Sequence, residues 1–148
     1  MKVSMILPLL ILSDYHRELT RESVKRMREN TGELFELVIV ETGSREFESL
    51  ADVYLHRPER SNVVLDMIAG IELATGEFVG QTANDLLMSS EWLEALLECF
   101  EAKTDCGLAT LACNEYGHEP ARRIEEGVYG PIMLWEAGWS FDPGFRNL

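Results

Sequence analysis

The chain has 148 residues, 46% of them hydrophobic, and carries 26 Asp and Glu against 13 Lys and Arg, a formal net charge of −13. That length can bury one sizeable core and predicts one domain over residues 1–148, while the excess of carboxylates argues against a nucleic-acid partner, which needs clustered Lys and Arg. The apolar run Val3 to Leu12 is too short to span a bilayer, and Cys99, Cys106 and Cys113 lack metal or disulfide spacing, so buried, reduced thiols in a cytoplasmic protein are expected.

Apolar runs of strand length alternate with longer stretches of helical period, the pattern of βαβ units around a mostly parallel sheet. Strands are expected near residues 2–7, 35–41, 52–55, 77–82 and 107–112. Pro8 interrupts the first apolar run, and no small-residue cleavage pattern follows before Asp14 and His16, so this run reads as a strand passing into a loop, not a signal peptide. The first helix is expected to begin after Ser13 or Asp14 as N-cap and to stop at Gly32 in the left-handed conformation. The second is expected from about Ser61 to Thr75, with Val64, Met67, Ile68, Ile71 and Ala74 at core spacing and Gly76 as its stop. The third, from Ser89 or Ser90 to about Ala102, carries Trp92, Leu93, Leu96, Leu97 and Phe100 on one face. Glu91, Glu94, Glu98 and Glu101 form its solvated face. Asn114 to Gly130 reads as a long loop.

The most informative stretch is Gly76-Glu77-Phe78-Val79-Gly80-Gln81-Thr82-Ala83-Asn84-Asp85, where a strand runs into an Asn-Asp pair shortly before a helix. Carboxylates at the carboxyl ends of strands are where open α/β sheets place ligands and metals. Taken alone, Asn84 and Asp85 read more simply as a turn and helix-entry pair. Glu41, before Gly43-Ser44, reads equally well as an exposed strand-end carboxylate or a ligand group. Pro8 by itself marks the end of a strand, and Gly43 a backbone conformation that other residues resist.

In wording and in order along the chain these segments resemble glycosyltransferase family 2, the nucleotide-sugar transferases. Val3-Ser4-Met5-Ile6-Leu7-Pro8 is similar to the family's opening strand and Pro. Phe35 through Ser44 is similar to its second strand and D-x-G-S turn, with Glu41 at the Asp position. Asn62 through Glu77 resembles the helix that ends in A-x-G-E, and Asp85 falls on the last acidic position of the metal motif. Trp92-Leu93-Glu94-Ala95-Leu96-Leu97 matches the helix after that motif, and Gly138 to Phe145 resembles the G-x-F-D-x-x-F element.

This resemblance implies a three-layer α/β/α nucleotide-diphospho-sugar transferase-like (GT-A) fold. It implies a glycosyltransferase that binds a UDP- or GDP-type nucleotide sugar with Mg²⁺ or Mn²⁺ and passes the sugar to a hydroxyl acceptor. Such hard cations use one or two carboxylates plus phosphate and water, so Asp85 suffices as the protein ligand. Pro8, Leu9, Glu41, Gly43, Ser44 and Asn84 are implied on the nucleotide, with Glu41 accepting from base or ribose and Asn84 steering the ribose or supporting the Asp85 carboxylate by hydrogen bonding. Trp135 and Trp139 are sugar or acceptor candidates, though core or edge packing is their simpler reading. Asp142 is the one acidic candidate for catalysis, although its match is to a structural F-D turn. Besides Glu41, the chain departs from the family in four places. Leu9-Leu10-Ile11-Leu12 replaces an aromatic residue and Asn, Met67-Ile68 replaces Arg-Asn, and Ala83 removes one carboxylate. The chain also stops before the segment that usually carries the catalytic base. Two alternatives follow: a nucleotide-sugar-binding or regulatory protein without catalysis, and a purely structural domain completed by self-association as a homo-oligomer.

Overall fold

The computed structural model describes residues 2–59 and 61–111, together with the backbone of 133–136. Two eight-residue strands, β1 (Val3–Leu10) and β2 (Phe35–Thr42), pair in parallel along their whole length and form the spine of the sheet. Strand β3 (Val53–Arg57) lies parallel outside β2, and β4 (Phe78–Gln81) lies parallel on the other side of β1. Beyond β4 come β6 (Met133–Glu136), antiparallel to it, and β5 (Leu108–Thr110) at the edge, giving the order β3-β2-β1-β4-β6-β5. The expected mostly parallel sheet is therefore present. Strand β6 has no counterpart among the expected strands, because four residues pairing with a strand more than fifty positions away leave no local signature.

Helices cover both faces. Helix α1 (Asp14–Glu29) and helix α3 (Trp92–Ala102) pack on one side, where Leu7, Leu9, Leu37 and Ile39 meet Val24, Met27, Leu93 and Leu96. Helix α2 (Val63–Leu73) packs on the other, where Ile6, Val38 and Val79 meet Met67. Residues alternate between the two clusters along each strand, as the pleat requires. Full burial of a Leu such as Leu93 or Leu96 contributes about 1.5–3 kcal/mol.

The helix ends refine the expectations. Ser13 caps α1 by accepting from the His16 N–H at 3.2 Å. The helix stops at Asn30, whose φ of −98° is not left-handed, so Gly32 has no role as its stop. Asn62 caps α2 through Leu65 N–H, and α2 ends at Ala74 before reaching Gly76. Of the apolar positions expected in its core, Met67 is buried, but Val64, Ile68 and Ile71 are 41 to 62% exposed. Helix α2 is apolar on nearly every side, so spacing could not tell which side meets the sheet. Gly70 decides it: a Cβ there would lie 2.4 Å from Ile6 Cγ2, so the helix seats on β1 through this glycine. Helix α3 begins at Trp92 after Glu91 in a left-handed conformation, with no cap from Ser89 or Ser90. Glu94, expected among its solvated carboxylates, is half-buried and accepts from the Thr31 hydroxyl and the Gly32 N–H. Cys99 is an exposed free thiol, not a buried one, and Cys106 is half-buried; Cys113 and the loop expected over Asn114 to Gly130 lie outside the described residues. No helix among the described residues is long and apolar enough to cross a membrane.

Candidate active site

Strand order reverses at β1, which joins β2 on one side and β4 on the other. Pairing with β4 ends at Ile6, while pairing with β2 continues to Leu10. The last tie on the β4 side is Thr82 N–H to Ile6 O at 3.0 Å. The strands part there and open a crevice at their carboxyl ends, the usual ligand position in such sheets. Pro8 lies within β1 and does not end it, because on that side no neighbouring strand needs its missing N–H. Leu9 points into the α1 and α3 core and is buried. Leu10, Leu12 and Tyr15 are exposed and give the rim an apolar surface.

Asn84 and Asp85 form a turn just after β4. Asp85 is exposed. Asn84 is half-buried, and its Nδ2 donates to Thr20 Oγ1 of α1 at 3.0 Å, so its amide faces the helix and not the crevice. No group of three or more metal-binding side chains lies among the described residues. An exposed carboxylate on a turn fits a hard cation that draws the rest of its shell from phosphate oxygens and water.

Glu41 has a different environment from either sequence reading. It is 0% exposed. Its Oε1 accepts from Ser44 Oγ at 2.7 Å and Glu46 N at 3.0 Å, and its Oε2 from Glu46 N at 3.1 Å, Phe47 N at 3.0 Å and the Tyr54 hydroxyl at 2.7 Å. Burial, and then the carboxylate beside it, push the Tyr54 phenol up, so it stays protonated as a donor. The extra methylene of Glu relative to Asp lets the carboxylate reach into the loop that follows β2 and bind it from inside. Gly43 makes the loop's entry possible with φ of +84°, a conformation that L side chains rarely adopt. Its N–H donates to Arg57 O at 2.9 Å. Gly43 is exposed, whereas the Ser44 hydroxyl is taken by Glu41.

The profile of Glycosyl transferase family 2 matches residues 14–144. The chain belongs to glycosyltransferase family 2. No curated protein matches it. Among solved structures, this family 2 chain is similar to the mannosyltransferase PcManGT from Pyrobaculum calidifontis in complex with GDP-Man and Mn²⁺, with TM-score 0.68 and 18% identity over 90% of this chain and 44% of that one. It is also similar to residues 1–349 of S. aureus TarS in complex with UDP, with TM-score 0.68 and 16% identity over 93% of this chain and 47% of that one. These likenesses place the fold among the GT-A glycosyltransferases. The chain spans less than half the length of either protein.

The family 2 chain uses its departures as structure. Met67, at the position of the family's Arg, is buried against Ile6, Val38 and Val79, while Ile68 is exposed. Neighbouring Asp66 is buried, with Oδ2 accepting from Thr42 Oγ1 at 2.9 Å and Oδ1 lying 3.4 Å from Arg57 Nε without a hydrogen bond. This acidic pair partner at the carboxyl ends of β2 and β3 escaped motif matching, although a lone Asp in an apolar helix was a visible signal. Beside it, a cleft of about 620 Å³ is lined by residues including His56, Arg57, Asn62 and Leu65. Of the remaining candidates, Trp135 is placed by backbone alone, opposite Val79 and Leu108. Trp139 and Asp142 lie outside the described residues.

Proposed function

We propose that this domain is the donor-binding portion of a cytoplasmic glycosyltransferase that holds a UDP- or GDP-type nucleotide sugar with Mg²⁺ or Mn²⁺ at Asp85 and passes the sugar to a hydroxyl acceptor. The observation that carries this reading is the exposed Asp85 on a turn at the switch point of the sheet, in a chain of family 2. A divalent cation bound there offsets the charge that develops on the departing diphosphate. Asp85 supplies the protein's oxygen ligand, and the exposed Leu10, Leu12 and Tyr15 offer apolar contact at the rim. Gly43, exposed beside the cleft at the end of β3, leaves room for a nucleoside to approach the backbone. Glu41 shapes that loop from within, so the base is read by other groups.

A second reading is favoured by the same burial of Glu41 and by Ala83, which leaves Asp85 as the one carboxylate of its motif: donor binding without transfer. Trp135, Trp139 and Asp142 belong to the acceptor side in the first reading and have no role in the second. Calorimetric titration of UDP, GDP and their sugars with and without Mn²⁺, on the protein and on Asp85→Ala, tests the donor site. Metal-dependent binding lost in Asp85→Ala supports it, and an acceptor screen then separates transfer from binding alone. Absence of binding by every nucleotide overturns both readings.

A further inference from the structure

Helix α1 and its C-cap present Thr20, Ser23, Met27 and Asn30 as one stripe, at spacings of three, four and three. Each is hydrogen-bonded to the segment that carries Asp85 and leads from it to Trp92, the first residue of α3. Thr20 Oγ1 accepts from Asn84 Nδ2 at 3.0 Å, and Ser23 Oγ donates to Leu86 O at 2.7 Å. Met27 O accepts from Trp92 Nε1 at 2.9 Å, and Asn30 Nδ2 donates to Met88 O at 2.6 Å. Thr20 and Ser23 are both 0% exposed. Both residues form helices less readily than Ala, and a buried hydroxyl costs free energy unless it is bonded, so their place on this face depends on the bonds they make to the segment around Asp85.

The direction of the bonds is specific. Thr20 gives its own proton to His16 O at 2.7 Å, which turns its oxygen toward Asn84 as an acceptor. Ser23 gives its proton to the carbonyl of Leu86. The two hydroxyls thus fasten the residues on either side of Asp85 while Asp85 itself stays exposed.

We propose that Thr20 and Ser23 are positioning residues that hold the turn around Asp85 in its cation-binding shape before cation or nucleotide arrives. The metal role of Asp85 in this proposal rests on the function proposed above; the clamp itself rests on the hydrogen bonds. Groups that orient a metal ligand from behind typically change metal affinity 10–100-fold when removed.

The test compares Ser23→Ala and Thr20→Val with Trp92→Phe, which cuts the far end of the same stripe without touching the neighbours of Asp85. Three quantities are read: UDP affinity with Mn²⁺ relative to without, the thermal midpoint, and backbone order at residues 84–86 from amide nitrogen relaxation. Ser23→Ala and Thr20→Val are expected to lower the Mn²⁺-dependent gain by about tenfold or more and to lower the order at 84–86. Thr20→Ser, which keeps the hydroxyl, is expected to restore both. Trp92→Phe is expected to lower the midpoint and leave the gain unchanged. The proposal is overturned if the hydroxyl variants lower the midpoint as Trp92→Phe does but keep the gain and the order. If the parent protein shows no Mn²⁺-dependent binding, the donor-site reading has failed on its own account. Lower order in Ser23→Ala then still upholds the clamp, and equal order overturns it.

Discussion

Replacing Glu41 by Ala removes one acceptor group from four donors: the Ser44 hydroxyl, Glu46 N–H, Phe47 N–H and the Tyr54 hydroxyl. Glu46 is exposed and Ser44 and Tyr54 are half-buried, so water can reach all three, but Phe47 is buried. A buried donor left without a partner costs about 1–3 kcal/mol, and the charged bond lost from Tyr54 adds up to a similar amount. The sum of about 2–6 kcal/mol is a large share of the about 5–15 kcal/mol that holds a typical domain folded. Glu41→Gln differs in kind. Its carbonyl oxygen can take the place of Oε2, which serves Glu46, Phe47 and Tyr54, while its NH₂ faces Ser44, whose hydroxyl can turn to accept, and the Glu46 N–H, which then keeps only its bond to the carbonyl oxygen. The expected cost is about 1–3 kcal/mol, from exchanging charged for neutral hydrogen bonds. Urea unfolding followed by tryptophan fluorescence measures both, alongside nucleotide titration of each variant. The reasoning is refuted if Glu41→Ala lies within about 0.5 kcal/mol of the parent, the range of an ordinary surface change. It is equally refuted if Glu41→Gln abolishes nucleotide binding at unchanged stability, since that would make Glu41 a direct reader of the nucleotide.

Gly43→Ala meets no atom within 4 Å, so its cost is backbone strain alone, about 1–2 kcal/mol by denaturant unfolding. Gly43→Asn is expected to cost less, because Asn tolerates the left-handed region. Gly70→Ala pushes a methyl into Ile6 Cγ2 and is expected to cost about 1–3 kcal/mol by the same assay; a neutral result would mean that α2 does not seat on β1 at this point. Burial pushes the Glu36 carboxyl up, but hydrogen bonds from Ser4 and Thr75 outweigh it and hold the group below the usual carboxylate range. A carboxylate with a lowered folded value contributes stability above its unfolded value of about 4 and loses it as pH falls through the folded value. The urea midpoints of the parent and Glu36→Gln should therefore differ at pH 7 and pH 5 and begin to converge only as pH falls below about 4; a gap that widens on acidification contradicts the assignment.

Much of the fold was legible because its signals are local. The strand positions, the Ser13 cap and the apolar face of α3 from Trp92 to Phe100 follow from period and end residues. What was not legible depends on partners distant in sequence. Strand β6 exists through its pairing with β4 and β5, and the buried side of α2 is set by Gly70 against Ile6. The site shows the same division. The turn carrying Asp85 was visible as a motif, whereas the fate of Glu41 depended on one methylene and on Phe47 and Tyr54. Thr20 and Ser23 were silent, since small polar residues in a charged helix read as surface until their partners at 84–86 are seen.

In the proposed function Asp85 is where a divalent cation and a nucleotide meet this chain. The position of Mn²⁺ in solution tests this, from paramagnetic broadening of backbone amide resonances as Mn²⁺ is added with UDP. Broadening is expected to centre on Asn84 to Leu86, to extend to the end of β1 and to be lost in Asp85→Ala. Broadening centred instead on Glu98 and Glu101 of α3, or unchanged in Asp85→Ala, would mark Mn²⁺ held by acidic surface and would overturn the metal role of Asp85.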